Sequence, residues 1–247
     1  MAEDKLAVLI DADNVSHANV KEMLEEISKN GTTTIKRIYA DWTKPTVSGW
    51  KNVLLENAIT PIQQYSYTTG KNSSDSALII DAMDILYSEK VNGFCIVSSD
   101  SDFTRLATRL REAGMTVIGF GEKKTPKPFI SACDKFIYLE ILKLAKMAPD
   151  SVAKQTPKHK QKEEPLKKVD IETINLITES VNDLADESGW TFLGSLGNFI
   201  IKKKPDFDPR NYGYPKLLQL VKSINKFEID VRDTGVNNIR HIYLKQK

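Results

Sequence analysis

The sequence predicts an α/β domain with a mainly parallel sheet, followed by a small module of three helices and a β-hairpin. Three observations carry this reading. From residue 5 to about 145, short apolar runs alternate with amphipathic stretches at helical spacing. At 147–169 a Pro- and Lys-rich stretch, poor in apolar residues and without period, reads as a flexible linker. From 170 to 247 helical periodicity returns and ends in two alternating segments. The 247 residues suit two modest domains, and 40% hydrophobic residues supply their cores, which excludes wholesale disorder.

Leu6-Ala7-Val8-Leu9-Ile10 is a continuous apolar run, as in a strand covered on both faces. Val20, Met23, Leu24 and Ile27 then fall at helical spacing. Ile35–Ala40 reads as the second strand, Thr46–Asn57 as the second helix and Ile59–Gln64 as the third strand. Asp75–Ser88 is the third helix, with Ser73 or Ser74 as its N-cap. Phe94–Ser98 is the fourth strand and Asp102–Ala113 the fourth helix, which Gly114 stops. Met115–Phe120 gives a fifth strand and Phe136–Tyr138 a sixth. Beyond the linker, Ile171, Ile174, Ile177, Val181, Leu184 and Ala185 mark an amphipathic helix. Ser195–Ile201 gives a second helix, ending at Lys202-Lys203-Lys204-Pro205, and Tyr214–Ile224 a third. Phe227–Val231 and Arg240–Leu244 alternate on either side of Asp233-Thr234-Gly235, which makes a hairpin and completes a winged-helix module.

Charge supports the same boundaries. Lys and Arg number 35 against 33 Asp and Glu, a net +2 that does not advertise nucleic-acid binding. Residues 1–146 carry 18 basic and 19 acidic side chains, 147–169 carry 6 and 3, and 170–247 carry 11 and 11. The positive excess therefore sits in the linker. No apolar run approaches the roughly 18 residues of a membrane helix. The N-terminal MAEDKLAVLIDADN lacks the basic region of a secretory signal. Two cysteines, Cys95 and Cys133, make neither a disulfide scaffold nor a zinc site, so the expected location is cytoplasmic.

In a parallel sheet, ligands sit beyond the carboxyl ends of the strands. The first strand ends in Asp11-Ala12-Asp13-Asn14 and the fourth in Ser98-Ser99-Asp100-Ser101-Asp102, while Gly70-Lys71-Asn72-Ser73-Ser74-Asp75 precedes the third helix. Crowded carboxylates repel unless a cation neutralises them, and hard oxygen ligands without His or Cys select Mg²⁺ or Mn²⁺. One such segment alone would be a helix cap, with Ser101 or Asp102 capping the fourth helix. Two strand-end clusters plus Asp75 are more than caps. Asp13, Asp81 and Asp84 are weaker cases, and Asp81 points well away from Asp75 on the helix. Asn14, Ser98 and Ser99 could hydrogen-bond a phosphate, and Lys71 could meet the substrate backbone. No His stands near these motifs, since His17 precedes a helix and His159 lies in the linker. Trp42, Trp50, Tyr65 and Tyr67 are read as core or rim aromatics before base-stacking ones.

The segments VLIDADN, GKNSSDSALIIDAMD and IVSSDSDFTRLATRLREAGMTVIGFG together resemble the NYN domain of the PIN-like nuclease superfamily, in its LabA-like branch, across about residues 5–140. The resemblance implies a PIN-like fold and metal-dependent cleavage of RNA, leaving a 3′-hydroxyl and a 5′-phosphate. Carried over by position, the catalytic and metal-holding residues are Asp11, Asp75, Asp100 and Asp102, with Asn14 beside them.

The segment WTFLGSLGNFIIKKKPDFDPRNYGYPKLLQLVKSI resembles the OST-HTH/LOTUS domain, through Leu196-Gly197 and the run from Asp208 to Gly213. That resemblance implies binding of RNA or of protein partners. The basic candidates are Lys202, Lys203, Lys204, Arg210, Lys216 and Lys222. The leading expectation is a Mg²⁺- or Mn²⁺-dependent ribonuclease, an endonuclease, whose C-terminal module recruits single-stranded or structured RNA. The rival is a non-catalytic RNA- or protein-binding adaptor with a vestigial acidic pocket. All four acids are present, which favours the enzyme.

Overall fold

The first strand, β1 (Lys5–Asp11), is buried along all but its first residue, as its unbroken apolar run requires. In the computed structural model it lies at the middle of a six-stranded parallel sheet. Its neighbours are β2 (Thr32–Ala40) and β4 (Gly93–Val97); β3 (Thr60–Gln63) flanks β2, and β5 (Thr116–Gly121) and β6 (Lys135–Tyr138) extend the other side. The spatial order is β3-β2-β1-β4-β5-β6. The chain therefore winds outward through β2 and β3, returns to the centre, and winds the other way. The reversal falls between β1 and β4, where an open α/β sheet forms a crevice at its carboxyl edge. Residues 3–65, 73–145, 166–233 and 240–247 are described, and the chain divides into two units, Met1–Ser151 and Val152–Lys247.

Helices α1 (Val20–Ser28), α2 (Trp50–Glu56), α3 (Ser73–Tyr87), α4 (Thr104–Glu112), α5 (Lys127–Ala132) and α6 (Leu139–Ala145) accompany the sheet. α1 buries Val20, Met23 and Ile27, the stripe that predicts it. The expected second helix is instead a 3₁₀ turn at Pro45–Val47 followed by α2. Likewise Ser101–Phe103 forms a 3₁₀ turn before α4, and its cap is Asp100 rather than Ser101 or Asp102. α3 begins at Ser73, so Ser73 and Ser74 both lie inside its first turn. α5 and α6 were not anticipated, because each is too short to show a period. α5 is held by packing: the Phe129 ring meets Phe103 at 6.5 Å and Phe136 edge-on at 6.0 Å.

In the second unit, α7 (Ile171–Asp183) is capped by Asp170, whose carboxylate accepts from the Thr173 amide at 2.8 Å. α8 (Leu193–Lys203) and α9 (Leu217–Ile224) pack with it around Ile177, Val181, Leu196, Ile200, Leu220 and Leu244. α9 starts later than expected, at Leu217, because Lys216 before it is extended. The 3₁₀ turn Pro209–Tyr212 ends on Gly213 at φ +81°, a conformation that favours glycine. β8 (Phe227–Asp233) and β9 (Arg240–Gln246) form the antiparallel hairpin, whose expected turn at 234–235 lies outside the described residues. A short strand unforeseen in the sequence, β7 (Thr191–Phe192), joins β9 to give the order β7-β9-β8. The end of the expected linker also belongs here: the Lys167 amide donates to the Asn211 carbonyl at 2.8 Å, and Val169 packs on the core.

Gly121 ends β5 where the sheet leaves no room for a side chain. A Cβ there would stand 2.6 Å from the Ser98 carbonyl oxygen and 2.6 Å from the Thr125 hydroxyl. Gly121→Ala therefore pushes on the loop after β4. Denaturant unfolding should register a loss of about 1–3 kcal/mol, and an unchanged midpoint would contradict this close approach.

Candidate metal centre

β1 delivers Asp11 to the crevice at only 1% exposure. A carboxylate so buried must be hydrogen-bonded. Its Oδ2 accepts from the Asn14 amide and from the Ser98 hydroxyl, both at 2.7 Å, and its Oδ1 accepts from the Asp13 backbone at 3.1 Å. Burial raises the pKa of Asp11, and the bonds from Ser98 and Asn14 oppose that shift. Ser98 is itself fully buried, and its Oγ accepts from the Asp100 amide at 3.1 Å. Asp100 Oδ1 then accepts from the Asp102 amide at 2.9 Å. One chain of hydrogen bonds thus runs from the end of β1 through the loop after β4.

Asp75 arrives from the first turn of α3 and is buried. Its carboxylate lies with those of half-buried Asp100 and exposed Asp102, one oxygen of each within 4.8 Å of the others. Burial pushes the Asp75 pKa up to about 7, reinforced by the charges of Asp11, Asp100, Asp102 and Asp13. Three hard oxygen donors that repel one another fit a divalent cation. Asp11 is outside this group of three and acts on it through its charge.

The other expected site residues are placed as follows. Asn14 is half-buried and bonded to Asp11. Ser98 and Ser99 are both buried, and Ser99 Oγ accepts from the Glu122 amide at 2.8 Å. These two hydroxyls hold the site's own backbone and the Asp11 carboxylate. Lys71 and Tyr67 lie outside the described residues. Trp50 is buried against His17, Trp42 donates its ring N–H to the Ile62 carbonyl, and Tyr65 is exposed. Asp81, set aside in the sequence, is bound by the Arg37 guanidinium and the Tyr39 hydroxyl. Asp13 contributes more than its sequence suggests: it accepts from the Ser74 hydroxyl at 3.2 Å and adds to the field on Asp75. Its partner is 61 positions away, so no local signal marks it.

In the second unit Lys203 pairs with Asp183 at 2.6 Å, Lys204 with Glu172 at 3.5 Å, and Arg210 with Asp208 at 2.6 Å. Lys202 is exposed in the last turn of α8. Lys216 precedes α9 and Lys222 lies in its last turn. Among the described residues, no helix is long and apolar enough to cross a membrane.

A parallel sheet wound both ways, with a cation-fitting acidic edge at its reversal, defines a doubly wound α/β domain with a candidate metal centre. The comparison with known families is more specific. The NYN domain family matches residues 5–140, more than half of the chain, and the chain belongs to that family. An OST-HTH/LOTUS domain follows at residues 164–239. The parallel α/β sheet is consistent with the PIN-like fold of NYN domains. A protein of unknown function from Vibrio parahaemolyticus is 19% identical, with a TM-score of 0.46 over 54% of this chain and 91% of its own. An uncharacterised protein from Nitrosomonas europaea is 29% identical, with a TM-score of 0.31 over 41% of this chain and 92% of its own. No curated protein matches the chain.

The raised Asp75 pKa fixes the sign of a pH effect. Its charged form is penalised in the fold, so the penalty is absent below about pH 4, grows as pH rises, and is complete above about pH 7. In the presence of a chelator, Asp75→Asn should stabilise the fold by about 1–3 kcal/mol at about pH 8 and not at about pH 4. Denaturant melts at the two pH values check this. A gain of equal size at both would show that charge crowding is not its source.

Proposed function

We propose that the chain is a Mg²⁺- or Mn²⁺-dependent ribonuclease, cytoplasmic and endonucleolytic, whose OST-HTH unit recruits RNA. The observation that carries this is the convergence of Asp75, Asp100 and Asp102 at the sheet reversal within an NYN domain. Those three carboxylates would hold the ion, with Asp11 adding negative charge behind them. Bound there, a divalent ion supplies charge neutralisation and Lewis acidity toward a phosphate oxygen.

The chain's own residues do the positioning. Ser98 and Asn14 fix Asp11, and Ser98 also holds the amide of Asp100. Asp100 in turn caps the turn that presents Asp102, so the carboxylates are set before substrate arrives. Asn14, half-buried, keeps a second amide hydrogen besides the one given to Asp11, and that hydrogen would serve a phosphate oxygen. Asp102 is exposed, which suits attack on an internal phosphodiester.

The test is cleavage of labelled single-stranded and structured RNA in Mg²⁺, Mn²⁺ or EDTA. Asp100→Asn is the control variant, since Asn caps a turn as well as Asp and the fold survives. Asp11→Asn is a poorer choice, because a carboxamide has one acceptor oxygen where donors converge on both oxygens of Asp11. Cutting should require the metal and fall about 100-fold or more in Asp100→Asn. RNA bound but left intact by both proteins in either metal would sink the nuclease and leave the adaptor.

A further inference from the structure

The outer face of the small sheet carries a cluster of rings to which the proposed function gives no task. Along β9, Leu244 is fully buried toward the helices, and the two-residue period puts His241, Tyr243 and Lys245 on the opposite face. The register sets Phe192 and Asp230 against Tyr243, and Arg232 against His241. The Phe192 ring lies 5.7 Å from Tyr243 and 4.9 Å from His241, centroid to centroid. The Arg232 guanidinium covers the Tyr243 ring at 4.1 Å and stands 5.4 Å from that of Trp190. Lys245 Nζ is 5.9 Å from the Trp190 ring. Phe192 is 36% exposed although its unit has a closed core.

We propose that this face is where the second unit takes RNA, as single strands, by stacking unpaired bases on Phe192, on Trp190 and on the Arg232 guanidinium that Tyr243 supports from beneath. The proposal rests on the recruitment reading above and assigns its surface. A nucleotide is a flat apolar ring joined to an anion. The sheet offers ring faces with cations set over them, which is the complement of that pattern. Lys203, Lys204 and Arg210 each hold an acid, as Arg232 does; what distinguishes the sheet face is that Arg232 and Lys245 lie against two rings, Tyr243 and Trp190, beside that of Phe192. Charge on the sheet face is nearly balanced: Asp230 lies 2.8 Å from Arg232, and Glu228 stands opposite Lys245. Attraction therefore comes from stacking more than from a long-range field. Paired bases are already stacked on each other, so duplex RNA is a poor ligand, and the affinity depends only shallowly on salt.

The experiment measures binding of a fluorescent single-stranded RNA by the full chain in EDTA, which keeps the probe uncut. The same RNA annealed into a duplex serves as comparison. Phe192→Ala and Tyr243→Ala should each weaken single-strand binding about 10-fold or more, while Lys202→Ala and Lys203→Ala change it less than about 3-fold. Thermal melts of each variant establish that it is folded. Photocross-linking of 4-thiouridine RNA to the unaltered chain should label peptides within 190–192 or 240–246, and needs no variant to fold. Unchanged affinity in both ring variants would overturn the proposal, as would cross-links confined to the NYN domain or to 202–204. Such a result leaves recruitment itself standing. Failure of the unaltered chain to bind single-stranded RNA would overturn recruitment as well. Ring variants that lose self-association and keep RNA binding would assign the face to a second copy of the chain.

Discussion

Asp11 is a carboxylate at the end of a central strand, and water cannot satisfy it there. Leaving such a group unpaired costs several kcal/mol, so the fold must deliver donors to it. Asn14 comes from its own loop, but Ser98 comes from the far side of the sheet reversal. The bond from Ser98 therefore ties the end of β1 to the loop after β4. That loop then has its course set: Ser98 accepts the Asp100 amide, and Asp100 accepts the Asp102 amide. Asp100 and Asp102 are placed in this way, one after the other, while Asp75 reaches the cation-fitting group separately, from α3. Gly121 belongs to the same constraint, since only a residue without Cβ lets β5 lie close to the Ser98 carbonyl.

This dependence explains what could be read from the sequence and what could not. Strands buried on both faces have no need of alternation, so β1 and β4 stand out as apolar runs ending in polar clusters. The α/β class, the mainly parallel sheet and the acidic edge followed from that. The roles of Ser98 and Ser99 did not. A serine after a strand reads as a phosphate donor or a cap, and only the fold shows that Asp11 is 87 positions away and hydrogen-bonded to Ser98. The Ser74–Asp13 bond was hidden for the same reason. Short elements escaped for a different one. α5 has six residues and β7 two, and neither is long enough to display a period.

The second unit shows how a basic run misleads. Lys202 and Lys203 close α8, where a cation meets the negative end of the helix, and Lys203 also holds Asp183. Their position is explained by helix termination alone. The residues that make a distinctive surface are spread over three strands, at Phe192, Arg232 and Tyr243, with Trp190 just before the first. Nothing in the linear order marks them as one face. The alternation of β9 predicts which of its residues point away from the core, but not which rings from β7 and β8 join them.

Charge decides how the proposed capture and cleavage of RNA would relate. An edge built from Asp11, Asp75, Asp100 and Asp102 repels a polyanion until a cation is present, and the same charges add to burial in raising the Asp75 pKa. On the proposed reading, that edge draws RNA to itself only once a cation is bound. The 170–247 segment carries equal numbers of acids and bases, so it does not gather RNA through a net field either. On the proposed reading the folded units recognise RNA by contact, through ring faces that are indifferent to the metal, and the net positive charge lies in the linker between them. On this account the capture of RNA and its cleavage answer to different variables. Capture depends on whether bases are unpaired, and cleavage on whether the carboxylates are neutralised. A structured RNA would then be held only where it opens, and cut only when the ion is supplied.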